Sequence, residues 1–299
     1  MEAHARRPAL GALLTIASAC CYATIPTLAK VAYGHGAGAL GVLVMRCVIS
    51  VPIVLTIVIW RHGLRFATAA ARRALLPGII FCAQSLCFFS GLEHAGAVTT
   101  VLLLFTYPLF VTIAGVVLFH RRLGPGQGFS VVAGSLGVWL SVGLGGTASA
   151  LGVGLGLASG VLFAVFLLMA ERTIEDGVDG LTLTAVVYTV MGVGYLAIAA
   201  IGGVALPVDS SGWTAVVVIA LVGTAGGTVL LLVGMEHVSA ATAAMLSVTE
   251  PPVAVILAAV ALQERIRPTQ VGGMALVMLA LVVLGHGLMR PVDSPVPTP

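Results

Sequence analysis

The sequence predicts an all-α membrane protein of ten transmembrane helices, arranged as two inverted five-helix repeats. Three observations carry this. The chain of 299 residues is 59% hydrophobic and only 8% charged, whereas a soluble domain carries roughly 25% charge, so lipid must be its main solvent. Its apolar residues fall in long unbroken runs, without the two-residue alternation of outer-membrane strands. One block also occurs twice: Gly91–Gly128 aligns without a gap to Gly234–Val271 at an offset of 143, with 13 of 38 positions identical.

A spanning helix needs about 20 predominantly apolar residues, and ten segments qualify. The first, Ala9–Ala32, follows Arg6-Arg7 and has the outline of a signal peptide. Gly11, Ala17, Ser18 and Ala23 recur as Gly152, Ala158, Ser159 and Ala164 at an offset of 141, so it is read as a helix of the repeat. The second, Gly38–Trp60, contains Arg46. The third, Ala74–Leu92, contains Gln84 and closes on Glu93-His94. The fourth, Ala97–Phe119, contains Thr106-Tyr107-Pro108, and the fifth, Gln127–Leu144, completes a first repeat over 9–144. A loop from Gly145 to Ala150 leads to the sixth, Leu151–Ala170. Its Gly152, Gly156 and Gly160 lie on one face and suit close helix approach in lipid. The seventh is Leu181–Val204. The eighth, Trp213–Val233, is thinned by Gly223, Gly226 and Gly227. The ninth, Ala240–Leu262, contains Thr249-Glu250-Pro251-Pro252, and the tenth, Thr269–Leu288, completes a second repeat over 151–288. The stretch 291–299 holds four prolines and reads as a disordered cytoplasmic tail.

Basic residues orient the chain. With the N-terminus inside, ten bases fall on the cytoplasmic side (Arg6, Arg7, Arg61, Arg65, Arg72, Arg73, Arg121, Arg122, Arg172 and Arg290) and three outside (Lys30, Arg265 and Arg267). Both termini are therefore expected in the cytoplasm. An odd number of helices per repeat makes the second copy enter from the opposite face, which inverts it. The five cysteines lie inside predicted helices, have no metal-ligand spacing and read as small packing residues. No metal, cofactor or nucleic acid is expected.

Polar residues at membrane depth are the functional candidates. Glu250 is the sharpest, because a charge at the bilayer centre costs roughly 2.5–3.5 kcal/mol on insertion scales. Pro251 and Pro252 follow it, and each removes a backbone donor and frees a carbonyl one turn back. The repeat mate of Glu250 is Tyr107, followed by Pro108. Paired interruptions of this kind in two halves point to a secondary transporter's binding site. Arg46 lies about nine residues, roughly 13 Å, from the outer end of its helix. It reads either as an anion contact or as a structural partner of a carbonyl or of Glu250. Gln84 and Tyr22 are lesser candidates, while Trp139, Tyr188 and Tyr195 read as packing or lipid-belt residues. Glu93-His94 and Glu236-His237 read as solvated turns. Glu250 is also the candidate for proton coupling.

The ninth-helix stretch Ser247-Val248-Thr249-Glu250-Pro251-Pro252-Val253, running on to Leu262-Gln263-Glu264-Arg265, resembles the EamA-like branch of the drug/metabolite transporter superfamily. Arg46 on the second helix fits that resemblance, which covers about Ala9 to Leu288. At the end of the first copy, His120-Arg121 stands where the family usually has Gly-Glu. The resemblance implies a secondary active transporter that exports small metabolites, chiefly amino acids, across a bacterial inner membrane, often with the proton gradient. A single cavity arginine with a single cavity glutamate suits a zwitterion, which places small amino acids first. Another metabolite or drug-like solute is the alternative, and a facilitative channel a remoter one. An intramembrane enzyme is not expected, since Leu157-Ala158-Ser159-Gly160 breaks a rhomboid-type motif and no H-E-x-x-H occurs. The expected partners are lipid and the solute, with self-association left open.

Overall fold

Continuous apolar runs fold as helices here because a bilayer leaves every backbone donor and acceptor to be satisfied within the segment. The computed structural model describes residues 7–62, 67–111, 149–262 and 268–289, with 129, 132–134, 136, 137 and 140. All regular structure among these residues is helical. The expected fifth segment, the loop from Gly145, Trp139, Glu264-Arg265 and the tail lie wholly or largely outside the described residues.

Helix α1 (Pro8–Ala23) and α2 (Ile25–Gly34) form one 27-residue span with an interruption at Thr24. Pro26 in the first turn of α2 lacks a backbone donor, and Thr24 donates its hydroxyl to Cys21 O at 2.7 Å. Next come α3 (Ala39–His62) and α4 (Ala67–Ala95). Gly96, with φ of 80°, takes a left-handed turn that favours glycine and leads into α5 (Ala97–Leu104). The second half supplies α6 (Ala150–Glu175), α7 (Gly180–Gly202) and α8 (Ser210–Val218), each capped at its N-terminus by a side chain, from Ser149, Asp179 and Asp209 respectively. A π-helical segment, Ile219–Gly226, joins α8 to α9 (Gly227–Met235). Helix α10 (Ala240–Leu246), a 3₁₀ turn at Ser247–Thr249 and α11 (Glu250–Leu262) follow, then α12 (Pro268–Met289).

Among the described residues, seven helices are long and apolar enough to cross a membrane: Pro8–Gly34, Ala39–Arg61, Arg72–Ala95, Ala150–Glu175, Gly180–Gly202, Ser210–Met235 and Thr242–Ala261. Shorter apolar helices, Ala97–Val111 and Val271–Ala280, stand where the fourth and tenth segments are expected. The protein is an all-α, multi-span membrane protein. Its outer faces carry bare Trp60, Ile201 and Val260, as lipid-facing positions should. Tyr107, Tyr188, Tyr195, Phe89, Phe105 and Phe166 fill the interior.

Packing between the halves follows the sequence offsets. Helix α6 runs against α4, and α1 against α9. A Cβ on Gly152 would meet Ala95 Cβ at 2.7 Å, and one on Gly11 would meet His237 Cβ at 2.8 Å. Gly11 and Gly152 are repeat mates, as are His94-Ala95 and His237-Val238, so the two contacts correspond. The glycine face of α6 continues against α5: a Cβ on Gly156 would meet Leu103 Cδ1 at 2.7 Å, and one on Gly160 the Thr106 hydroxyl at 2.8 Å. In the described state this face is a packing surface.

One turn of the first half also meets a turn of the second. Val208 N donates to His35 O at 3.0 Å, Gly38 N to Ala205 O at 3.0 Å, and His35 Nδ1 lies 2.6 Å from Asp209 Oδ2. Asp209 also accepts from Gly212 N, and these contacts, the backbone donor first, hold its carboxyl below the usual carboxylate range. Glu236, expected in a solvated turn, instead accepts from Gly180 N at 2.6 Å and so ties the end of α9 to the start of α7.

Candidate functional site

Both helix breaks are built alike. In the first half the helix lapses at 105–106 and resumes at Tyr107, with Pro108 second in the new turn. In the second half it lapses at Ser247–Thr249 and resumes at Glu250, with Pro251 second. A proline there cannot donate to the carbonyl four residues back. Thr106 donates its hydroxyl to Leu103 O at 2.7 Å, and Thr249 to Leu246 O at 3.1 Å. These residues are mates under the 143 offset, so at each break a recurring threonine hydroxyl bonds the carbonyl three residues back. Tyr107 crosses between the halves, donating to Ala244 O at 3.2 Å.

The breaks open onto a cavity of about 50 Å³. Tyr22, Arg46, Gln84, Tyr107 and Glu250, named separately on sequence grounds, all line it. Sequence reasoning missed the rest of the wall, which is mostly aromatic: Phe81, Phe88, Phe89, Phe105 and Phe163. Tyr107 and Phe163 meet edge to face at a centroid distance of 4.8 Å, and Phe81 stacks on Phe166 at 4.3 Å. One signal was available, because Phe163 is the mate of Tyr22 at the 141 offset. Helix breaks and aromatic rings thus leave a largely apolar pocket with few polar tips, the usual make-up of a small-molecule site.

The polar tips are deeply placed. Arg46 is 3% exposed, Gln84 5% and Glu250 8%. Arg46 lies with Cζ 4.8 Å from the centroid of the Phe89 ring, a cation–π contact. Its Nε and Nη2 are buried and have no hydrogen-bond partner. The His35–Asp209 pair is the one ion pair found among the described residues, so Arg46 and Glu250 are not joined, and the reading of Arg46 as that carboxylate's structural partner does not hold. Gln84 Oε1 accepts from Ser85 at 3.1 Å. Tyr188 and Tyr195 are buried and hydrogen-bonded, to Thr224 O and Cys82 O respectively. They are packing residues and not part of a lipid belt. Among the described residues no group of three His, Cys, Asp or Glu side chains is placed to hold a metal ion.

A multi-span helical protein with a polar-tipped cavity between two similar halves belongs to the class of membrane carriers for small solutes. The chain belongs to the EamA-like transporter family, which it matches twice, over residues 9–143 and 150–285, and so to the drug/metabolite transporter superfamily. It is 28% identical over 289 residues to the uncharacterized transporter YcbK of Bacillus subtilis, covering 91% of each chain. It is 26% identical over 201 residues to the uncharacterized transporter sll1319 of Synechocystis, covering 64% of this chain and 59% of that one. A solved crystal structure shares its fold with a TM-score of 0.72 at 17% identity, covering 94% of this chain and 99% of the other.

Proposed function

We propose that this protein is a secondary active transporter that exports small metabolites, amino acids first among them, across a bacterial inner membrane by alternating access. The proposal includes ten crossings, two inverted repeats over 9–144 and 151–288, both termini and the tail 291–299 in the cytoplasm, and Tyr22, Arg46, Gln84, Tyr107 and Glu250 as the solute-binding residues.

The observation that carries this reading is the cavity itself. It joins residues from both halves at corresponding helix breaks, where Tyr107 of one and Glu250 of the other face the same space. A solute held there touches both halves, and rocking one against the other would expose it to either side in turn. The corresponding contacts of Gly11 and Gly152 support the inverted arrangement. Arg46, with unpaired donors, suits a carboxylate, and Glu250, not paired to it, is free to face an ammonium group or to take up a proton.

The test is a panel of amino acids and other small metabolites in proteoliposomes, with and without a proton gradient. We expect saturable uptake of at least one neutral amino acid, accelerated by the gradient. Current without saturation would identify a channel, and uptake confined to other solutes would remove the amino-acid assignment.

A further inference from the structure

Arg46 is surrounded by groups able to accept its hydrogen bonds, yet Nε and Nη2 bond to none of them. The phenols of Tyr195, Tyr188 and Tyr22 are all within its electrostatic reach. Each hydroxyl is engaged elsewhere. Tyr195 donates to Cys82 O at 2.8 Å. Tyr188 lies 3.1 Å from Thr224 O and 2.5 Å from Thr228 Oγ1. Tyr22 lies 2.5 Å from the same Thr228 oxygen.

The hydrogens of this cluster can be ordered. A backbone carbonyl only accepts, so Tyr188 spends its hydrogen on Thr224 O. Thr228 then donates to the Tyr188 oxygen, and Tyr22 donates to Thr228. The chain runs Tyr22 to Thr228 to Tyr188 to Thr224 O, with every hydroxyl hydrogen used. It draws together α1, α7, α9 and the π-helical segment, in which Thr224 lies. Nearby hydroxyls pin the same strip of backbone: Ser50 donates to Ala220 O at 2.8 Å, and Ser18 to Gly227 O at 2.7 Å.

We infer that Thr228 and Tyr188 are positioning residues that hold the Tyr22 phenol off Arg46, leaving the guanidinium vacant as a carboxylate subsite. This rests on the transport reading of the same cavity. A buried guanidinium with two nitrogens left unbonded is costly, and the cation–π contact with Phe89 satisfies neither of those donors. A carboxylate entering between Arg46 and the aromatic wall would meet two unused donors, in the side-by-side geometry guanidinium groups favour. Without the Thr228 hydroxyl, Tyr22 loses its partner while Tyr188 keeps Thr224 O, and the Tyr22 phenol oxygen can turn to Arg46 and compete with the solute.

The experiment is thermal stabilisation of the detergent-purified full chain by 3-phenylpropionate, with phenethylamine as the carboxylate-free control. Wild type is expected to be stabilised by the acid and not by the amine. Thr228→Val removes the hydroxyl at nearly constant shape and is expected to weaken the apparent affinity about tenfold, the worth of one hydrogen bond to a charged group. Thr228→Ser should restore it, and Arg46→Gln should abolish the response. A Thr228→Val protein with wild-type affinity, or a Thr228→Ser protein no better than the valine variant, would overturn the inference. So would stabilisation of wild type by the amine alone. If instead the acid binds as expected while no solute of the panel is transported in proteoliposomes, the subsite stands and the transport reading fails.

Discussion

Glu250 opens α11, 8% exposed, on the wall that also bears Tyr107. It has no ion-pair partner among the described residues. On the proposed reading this carboxyl group, which lines the cavity, would take up a proton and release it when the cavity changes sides. Glutamine keeps its size and most of its hydrogen bonding while removing the titration. Glu250→Gln is therefore expected to bind solute with an affinity near wild type and to lose the acceleration given by a pH gradient, measured as the ratio of initial rates with and without the gradient. An unchanged ratio in the variant would assign proton coupling elsewhere and leave Glu250 a plain contact residue.

At the scale of elements, the breaks in the fourth and ninth segments were legible because proline has a local cost that shows in any sequence. What sits at the breaks was less legible. Thr106 and Thr249 recur in the duplicated block, but that their hydroxyls return to Leu103 O and Leu246 O depends on the side-chain geometry of a lapsed turn. The eight-residue π segment Ile219–Gly226 had no proline to announce it. Its carbonyls are held by Ser50 and Tyr188 from elsewhere in the fold, so only the tertiary structure reveals it. The aromatic wall was hidden for a similar reason: phenylalanines are unremarked in any apolar helix until packing gathers them. The breaks carry the next prediction. Pro251→Ala restores a backbone donor able to bond Ser247 O and draw the 3₁₀ turn into a regular helix, which would rotate Glu250 on the cavity wall. Transport is expected to fall several-fold while the amount of protein in the membrane stays near wild type. Equal loss of both would make the proline a folding residue only.

At the scale of the whole molecule, the number of crossings can be argued from which turns meet. The turn at His35 touches the stretch 205–209 directly, through the pairs His35–Asp209, Val208–His35 and Gly38–Ala205, so both lie on one side of the membrane. Ser149, at the start of α6, meets His94 O, at the end of α4, through both its backbone nitrogen and its hydroxyl at 3.3 Å, so these ends also share a side. A chain that returns to the side it left has crossed an even number of times. On the proposed reading the sequence segment Ala97–Phe119 crosses once, and the apolar stretch Gln127–Leu144 supplies the second crossing that parity requires before Ser149. With α1 and α2 as one span, the proposed reading then has five crossings in the first half and, by the corresponding count in the second, ten. The proposed reading, from the basic residues, then has both termini inside. Reporters fused after Arg122 and after Leu288 are accordingly expected to be active only in the cytoplasmic format, and a reporter inserted between 145 and 148 only in the periplasmic one. A periplasmic reporter active after Arg122 would remove the fourth crossing, and one active after Leu288 would break the parity on which the inverted arrangement depends.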